Sequence, residues 1–154
     1  MSIYFLDSSS LVKRYVAEIG TDWLQTLASP LSSHRLIIAR ITWVEVLSAL
    51  ARRQREGSLS STDLTRIAQT FRYDLDMQYQ VVELEHPVIE LAGQLVRKHP
   101  LRAYDAIQLA AALRVRSMLI PMKISPLVFL AADKQLLIAA QAEGLVTDNP
   151  NHHP

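Results

Sequence analysis

Ile3-Tyr4-Phe5-Leu6-Asp7-Ser8-Ser9-Ser10-Leu11-Val12 decides the fold. Four residues rich in apolar and aromatic side chains run straight into an aspartate, and a helix-period segment, Leu11 to Val16, begins directly afterwards. A short apolar run of this kind reads as a strand covered on both faces. Asp7 then stands at the carboxyl end of that strand, where an α/β fold places its chemistry.

Outward from this stretch the same unit recurs. Further strands are predicted at Leu36 to Ala39, Val81 to Leu84 and Leu127 to Ala131. Three of the four runs are apolar throughout, and Val81 to Leu84 is interrupted only by Glu83, so all four are expected to be sandwiched between helices. Helical periodicity marks Thr21 to Ala28, Thr42 to Glu56, Thr62 to Met77, Val88 to Lys98, Tyr104 to Met118 and Lys134 to Glu143. Strands and helices alternate, which defines an α/β class. Gly57 and Gly144 suit helix C-termini, Pro87 suits a first helical turn, and His99-Pro100 stops one helix before the next. The apolar Pro121 to Pro126 connection has no role legible in its residues. Residues 1–148 read as a single domain and residues 149–154 as a polar C-terminal tail.

Composition narrows the chemistry. The 154 residues are 49% hydrophobic and 20% charged, enough to bury a sizeable core without disulfides or a structural metal. There is no cysteine, which excludes thiolate nucleophiles, redox pairs and cysteine-ligated zinc. No apolar stretch nears the ~18–20 residues needed to cross a bilayer, and no basic leader precedes the first apolar run, so a cytoplasmic location with no membrane partner is expected. The net charge is only +1, yet 12 of the 16 basic residues are arginine, the side chain best shaped for phosphate.

Three acids fall near strand ends: Asp7 after the first, Asp133 two residues after the last, and Glu45 in the helix that follows the second. Right-handed crossovers in a parallel sheet bring all strand carboxyl ends to one edge, so these three are expected to converge. Asp105 lies in the first turn of the Tyr104 to Met118 helix, and periodicity does not say at which edge that helix begins. Each acid also has a purely structural use. Thr42-Trp43-Val44-Glu45 has the form of a capping box, Asp133 of a helix N-cap, Asp105 of a favourable first-turn anion and Asp7 of an Asx turn. Clustered carboxylates repel unless protons or a cation offset their charge, and a hard divalent ion is the usual partner.

At these residues the chain resembles PIN-domain nucleases, particularly the VapC toxins of bacterial toxin–antitoxin pairs. Tyr4-Phe5-Leu6-Asp7-Ser8-Ser9-Ser10-Leu11-Val12-Lys13 is similar to the family's opening motif, and Ala39-Arg40-Ile41-Thr42-Trp43-Val44-Glu45-Val46-Leu47 to its second. Tyr104-Asp105-Ala106-Ile107-Gln108-Leu109-Ala110-Ala111-Ala112 resembles the third and Phe129-Leu130-Ala131-Ala132-Asp133 the fourth. The resemblance implies a PIN-like three-layer α/β/α domain with a mainly parallel central sheet of four or five strands. It implies that Asp7, Glu45, Asp105 and Asp133 are catalytic metal-binding carboxylates, with Ser8 supporting the first aspartate. It further implies Mg²⁺ or Mn²⁺ as cofactor, RNA as substrate, a cognate antitoxin as partner, and a homodimer. The chain departs from the family at Ala131, where Ser or Thr is common.

An RNA backbone approaching four acids needs cationic help. Lys13 and Arg14, close after Asp7, and Arg102 are candidates, beside the groups Arg52/Arg53/Arg55, Arg97/Lys98 and Arg114/Arg116. Trp23, Trp43 and Tyr104 are expected to pack rather than stack on bases, and the five histidines show no catalytic or metal-binding pattern. Two other readings use the same acids: a DNA-directed nuclease, and a non-catalytic RNA- or protein-binding module supported only by Ala131. The Asp-x-Asp pattern of haloacid dehalogenase-like phosphatases is absent, since Ser8-Ser9 follow Asp7, and so is the paired acid of response-regulator receivers.

Overall fold

The computed structural model describes residues 1–124 and 126–154, so Ser125 of the Pro121 to Pro126 connection lies outside the described residues. Among the described residues the chain order is β1 (Ile3–Leu6), α1 (Ser8–Tyr15), α2 (Thr21–Leu27), β2 (Arg35–Ala39), α3 (Thr42–Arg55), α4 (Ser61–Met77), β3 (Gln80–Val82), α5 (His86–Lys98), α6 (Ala103–Leu119), β4 (Leu127–Leu130), α7 (Lys134–Ala142) and β5 (Val146–Asp148). The predicted elements are present with boundaries shifted by a few residues.

The five strands pair in the order β3-β2-β1-β4-β5, and every pairing is parallel. β1 lies at the centre, with Phe5 in register with Ile37 on one side and Phe129 on the other. Its residues Ile3, Phe5 and Leu6 are wholly buried, as a strand covered on both faces requires. On one face α5, α6 and α7 pack Val88, Leu95, Leu109 and Leu136 against Phe5 and Phe129, whose rings stack at 5.8 Å. On the other face α1 to α4 supply Leu11, Leu24, Val46, Leu50 and Phe71 against Leu6, Leu36 and Ile38. This is the three-layer α/β/α arrangement.

The strand order reverses at β1. The chain first builds β2 and β3 on one side, then crosses to β4 and β5 on the other, which opens a crevice at the carboxyl ends of β1 and β4.

One expectation is corrected, and two features are added. The Val81 segment is not covered on both faces: β3 is an edge strand of three residues, with Gln80 exposed and both valines half-buried. Glu83 lies beyond it and pairs with Arg40 at the surface. Val146–Asp148, too short and polar for a periodicity signal, forms the other edge. The polar 149–154 segment packs against the domain. Asn149 and Pro150 are buried, and the His153 ring stacks on Trp23 of α2 at 4.0 Å and 5°. Gly20 makes this docking feasible, because it combines φ +88 with a position where a Cβ would strike the Pro150 carbonyl.

Candidate active site

Asp7 leaves β1 and becomes the N-cap of α1 in one step, its carboxylate accepting the Ser10 amide at 2.9 Å. The Ser9 hydroxyl lies 2.8 Å from both carboxylate oxygens and accepts the Ala132 amide at 3.0 Å, tying the end of β4 to the end of β1. The Ser10 hydroxyl reaches the carbonyls of Asp7 and Leu130, both at 2.9 Å. The residue expected to support Asp7, Ser8, does not do so. As the first helical residue it points towards α3 and donates to Glu45 at 3.1 Å, while the hydroxyl one place further on turns back to the cap.

Glu45 does not close a capping box. Ile41 caps α3 without a side-chain bond, and Thr42 is fully buried with its hydroxyl accepting from Gln108. Gln108 is one helical turn beyond Asp105 on α6, and its amide nitrogen donates to Thr42 Oγ1 at 2.9 Å and Glu45 Oε1 at 2.6 Å. Its carbonyl oxygen is buried without a partner among the described residues. Gln108 is thus a site residue that sequence reading missed. The available signal was a lone amide on an otherwise apolar, alanine-rich helix face beside an acid.

Asp105 and Asp133 complete the ring. Asp133 caps α7 through Leu136, and Asp105 sits 3.6 Å from the Arg102 guanidinium. All four acids line one open cavity of about 620 Å³, with Ser8, Ser9, Arg52, Arg102 and Tyr104. The structure therefore brings Asp105, whose edge periodicity left open, to the same place as the strand-end acids.

The electrostatics are those of an uncompensated cluster. Burial pushes the Asp7 carboxyl up to about 7 against the pull of its Ser10, Ser9 and hydroxyl bonds, and Glu45 raises it further. Glu45 is raised by burial, opposed by Gln108 and Ser8, with repulsion from Asp105 added. Asp105 is raised by burial and then by Asp133, with only Arg102 acting against them. Among the described residues no three Asp, Glu or His side chains converge tightly enough to grip one ion between them. The donor set still fits Mg²⁺ or Mn²⁺ in kind: hard carboxylate oxygens, mutually repelling, around a cavity with room for water. Mg²⁺ usually keeps several waters and takes only one or two protein carboxylates.

Of the candidate RNA contacts, two have partners within the fold. Lys13 is buried in an ion pair with Glu18 at 3.0 Å, on a cavity it lines with Ser8, Ser9 and Glu45, and Arg14 is held by Tyr79 and Asp74. Arg102 is highly exposed on the cavity rim. Tyr104, expected to pack, is 61% exposed there. Ala131 is fully buried and outside the cavity lining, and the hydroxyl that reaches the β4 end comes from Ser9.

The PIN domain family pattern matches residues 4–123. Ribonuclease VapC45 of Mycobacterium tuberculosis (strain CDC 1551 / Oshkosh) is 33% identical over 117 residues, covering 75% of this chain and 78% of that protein. The chain belongs to the PIN-domain family, among the VapC-type proteins. Its fold is similar to that of M. tuberculosis VapC20, a sarcin-ricin loop cleaving toxin (TM-score 0.64, 16% identity, 98% of this chain and 99% of that one). It is also similar to a chain of a toxin–antitoxin complex from Klebsiella pneumoniae (TM-score 0.62, 17% identity, 97% and 98%). At those identities the likeness is one of fold.

Proposed function

We propose that this protein is a metal-dependent endoribonuclease of the VapC toxin type, hydrolysing RNA phosphodiester bonds and neutralised by a cognate antitoxin. The observation that carries the reading is the convergence of Asp7, Glu45, Asp105 and Asp133 on one cavity, with burial and mutual repulsion opposed by a single cation, Arg102 at Asp105. The relatedness to ribonuclease VapC45 and the fold shared with a toxin–antitoxin complex support it.

Asp7, Glu45, Asp105 and Asp133 are the residues that would hold Mg²⁺ or Mn²⁺. A divalent ion bound there would polarise a phosphoryl oxygen and acidify a water. The chain contributes orientation. Ser9 and the Ser10 amide fix the Asp7 carboxylate, Ser8 and Gln108 fix that of Glu45, and the Leu136 amide fixes that of Asp133. Such outer partners keep first-contact oxygens aimed into the cavity when no ion is there to aim them. A cytoplasmic homodimer belongs to the same reading, with exposed Val44, Tyr73 and Met77 on α3 and α4 as apolar surface for partner chains.

Purified protein is incubated with labelled single-stranded RNA in Mg²⁺, Mn²⁺ or EDTA, beside Asp7→Asn. Cleavage with either metal, abolished by EDTA and lowered at least ~100-fold in the variant, is the expected result. No cleavage of RNA with either metal, or cleavage that Asp7→Asn leaves intact, overturns the reading; preferential cutting of DNA redirects it.

A further inference from the structure

On the cavity wall Tyr104 and Arg52 have no side-chain partner among the described residues, and Arg102 has only the carboxylate of Asp105 one helical turn on. Tyr104, in the first turn of α6, is 61% exposed and takes part in no ring contact or side-chain hydrogen bond among the described residues. Other aromatic side chains are occupied: Trp23 by His153, Trp43 by Phe71 and Arg72, and Tyr4 by His34. Tyr73 is also exposed, but on α4 and outside the cavity. Arg52 on α3 is exposed with no carboxylate in ion-pairing range among the described residues, and the nearest to Arg102 is Asp105 at 3.6 Å. Both arginines line the cavity with Tyr104.

We propose that Tyr104 is a stacking platform for an unpaired nucleobase beside the cut phosphate, and that Arg52 and Arg102 take the flanking phosphates. This rests on the ribonuclease reading and adds to it the side chains of this chain that hold the nucleotides beside the cut. A phenol ring held in water beside a carboxylate cluster offers a flat face to any base, which is sequence-tolerant recognition. Bases within an A-form duplex already stack on their neighbours, and such a helix presents phosphates and 2′-hydroxyls instead of ring faces. The two guanidiniums, on α3 and just ahead of α6, supply the charge that lets a polyanion approach four acids.

Binding is read without turnover in the Asp7→Asn protein with Mg²⁺, by fluorescence anisotropy. The probes are a labelled short oligouridylate, the same oligomer annealed to oligoadenylate, and the same oligomer with one abasic ribose at each position in turn. Tyr104→Ala is expected to weaken the single strand by about tenfold, leave the duplex unchanged, and lose its effect on one abasic oligomer, with Tyr104→Trp restoring affinity. Arg52→Gln and Arg102→Gln are each expected to reduce the salt slope by roughly 0.7. Equal weakening of single strand and duplex by Tyr104→Ala, or no weakening, overturns the stacking platform, and an unchanged salt slope removes that arginine. Cleavage by the wild type is run alongside. Cutting without Tyr104-dependent binding overturns the subsite and leaves the nuclease, whereas Tyr104-dependent binding without cutting overturns the nuclease and leaves the subsite.

Discussion

The two ends of α1 carry two polar clusters built on opposite terms. At its C-terminal end Arg14, Tyr15, Asp74 and Tyr79 form a closed relay. Arg14 donates to the Tyr79 hydroxyl, Tyr79 lies 2.7 Å from Tyr15, and Tyr15 donates to Asp74 at 2.7 Å. The Arg14 guanidinium also rests 5.5 Å from both ring centres. One cation meets one anion, each hydroxyl both gives and receives, and burial keeps both phenols protonated, that of Tyr79 pushed up to about 12. At the N-terminal end Asp7 begins a series of acids, each repelling the next, with a single rim arginine against them. A buried cluster that balances its own charge is a structural device, whereas one that does not is built for a charge arriving from outside.

The largest effect that sharpens this contrast is one of stability. The Asp7 carboxyl is held at about 7 against its ordinary 3.8, chiefly by burial. Between about pH 4 and 7 the folded chain therefore keeps a proton that the unfolded chain releases. Stability of the metal-free protein falls as pH rises through that window and levels off above it, with a ceiling of about 4 kcal/mol. Asp7→Asn keeps an acceptor for the Ser10 amide and removes the charge. In EDTA the variant is expected to match the wild type below pH 4 and to exceed it at pH 8, with Mg²⁺ narrowing the gap. Urea unfolding of both proteins across this range checks it, and a difference that does not grow with pH would remove Asp7 from the uncompensated group.

A smaller effect separates the acids from what holds them. Gln108→Leu keeps the helix and much of the volume but deprives Glu45 of its 2.6 Å donor and leaves the Thr42 hydroxyl without its partner. Loss of an outer-shell partner of this kind lowers metal affinity or activity by about 10–100-fold. Cleavage and Mn²⁺ affinity are expected to fall together, with oligouridylate affinity unchanged. A variant that loses RNA affinity instead would show that Gln108 serves the RNA-binding wall, not Glu45.

Much of this arrangement was legible beforehand, for reasons that differ residue by residue. Asp7 and Asp133 stand directly beyond apolar runs, so topology alone sends them to one edge. Asp105 was legible only through family resemblance, because helical periodicity fixes a face and not the edge at which a helix starts. Ser8 and Ser9 are the same residue type at adjacent positions, and only N-cap geometry decides that Ser9 returns to Asp7 while Ser8 crosses to Glu45. Lys13 and Arg14 illustrate the converse. Charge suggests a surface, but a neighbouring acid or a pair of buried phenols can draw a cation inward, and those partners lie as far away in sequence as Asp74 and Tyr79. Tyr104 escaped because an aromatic on an amphipathic helix ordinarily packs, and only the fold shows that its own first turn opens onto the cavity.

The smallest effect tests the closed cluster. Tyr79→Phe removes one hydroxyl from the relay and leaves the ring that packs against Phe71 at 6.2 Å. Arg14 then loses an acceptor and Tyr15 a neighbour, both in a partly desolvated place, while Asp74 still receives Tyr15 and still faces Arg14 at 3.6 Å. A lost hydrogen bond of this kind costs about 1–2 kcal/mol, and the remaining pair keeps the charges matched. Unfolding midpoints are expected to drop accordingly, with metal-dependent cleavage at the wild-type rate, because no member of the relay lines the cavity. A fall in cleavage without a fall in stability would mean that the two ends of α1 communicate through the helix, and that the balanced cluster helps to set the unbalanced one.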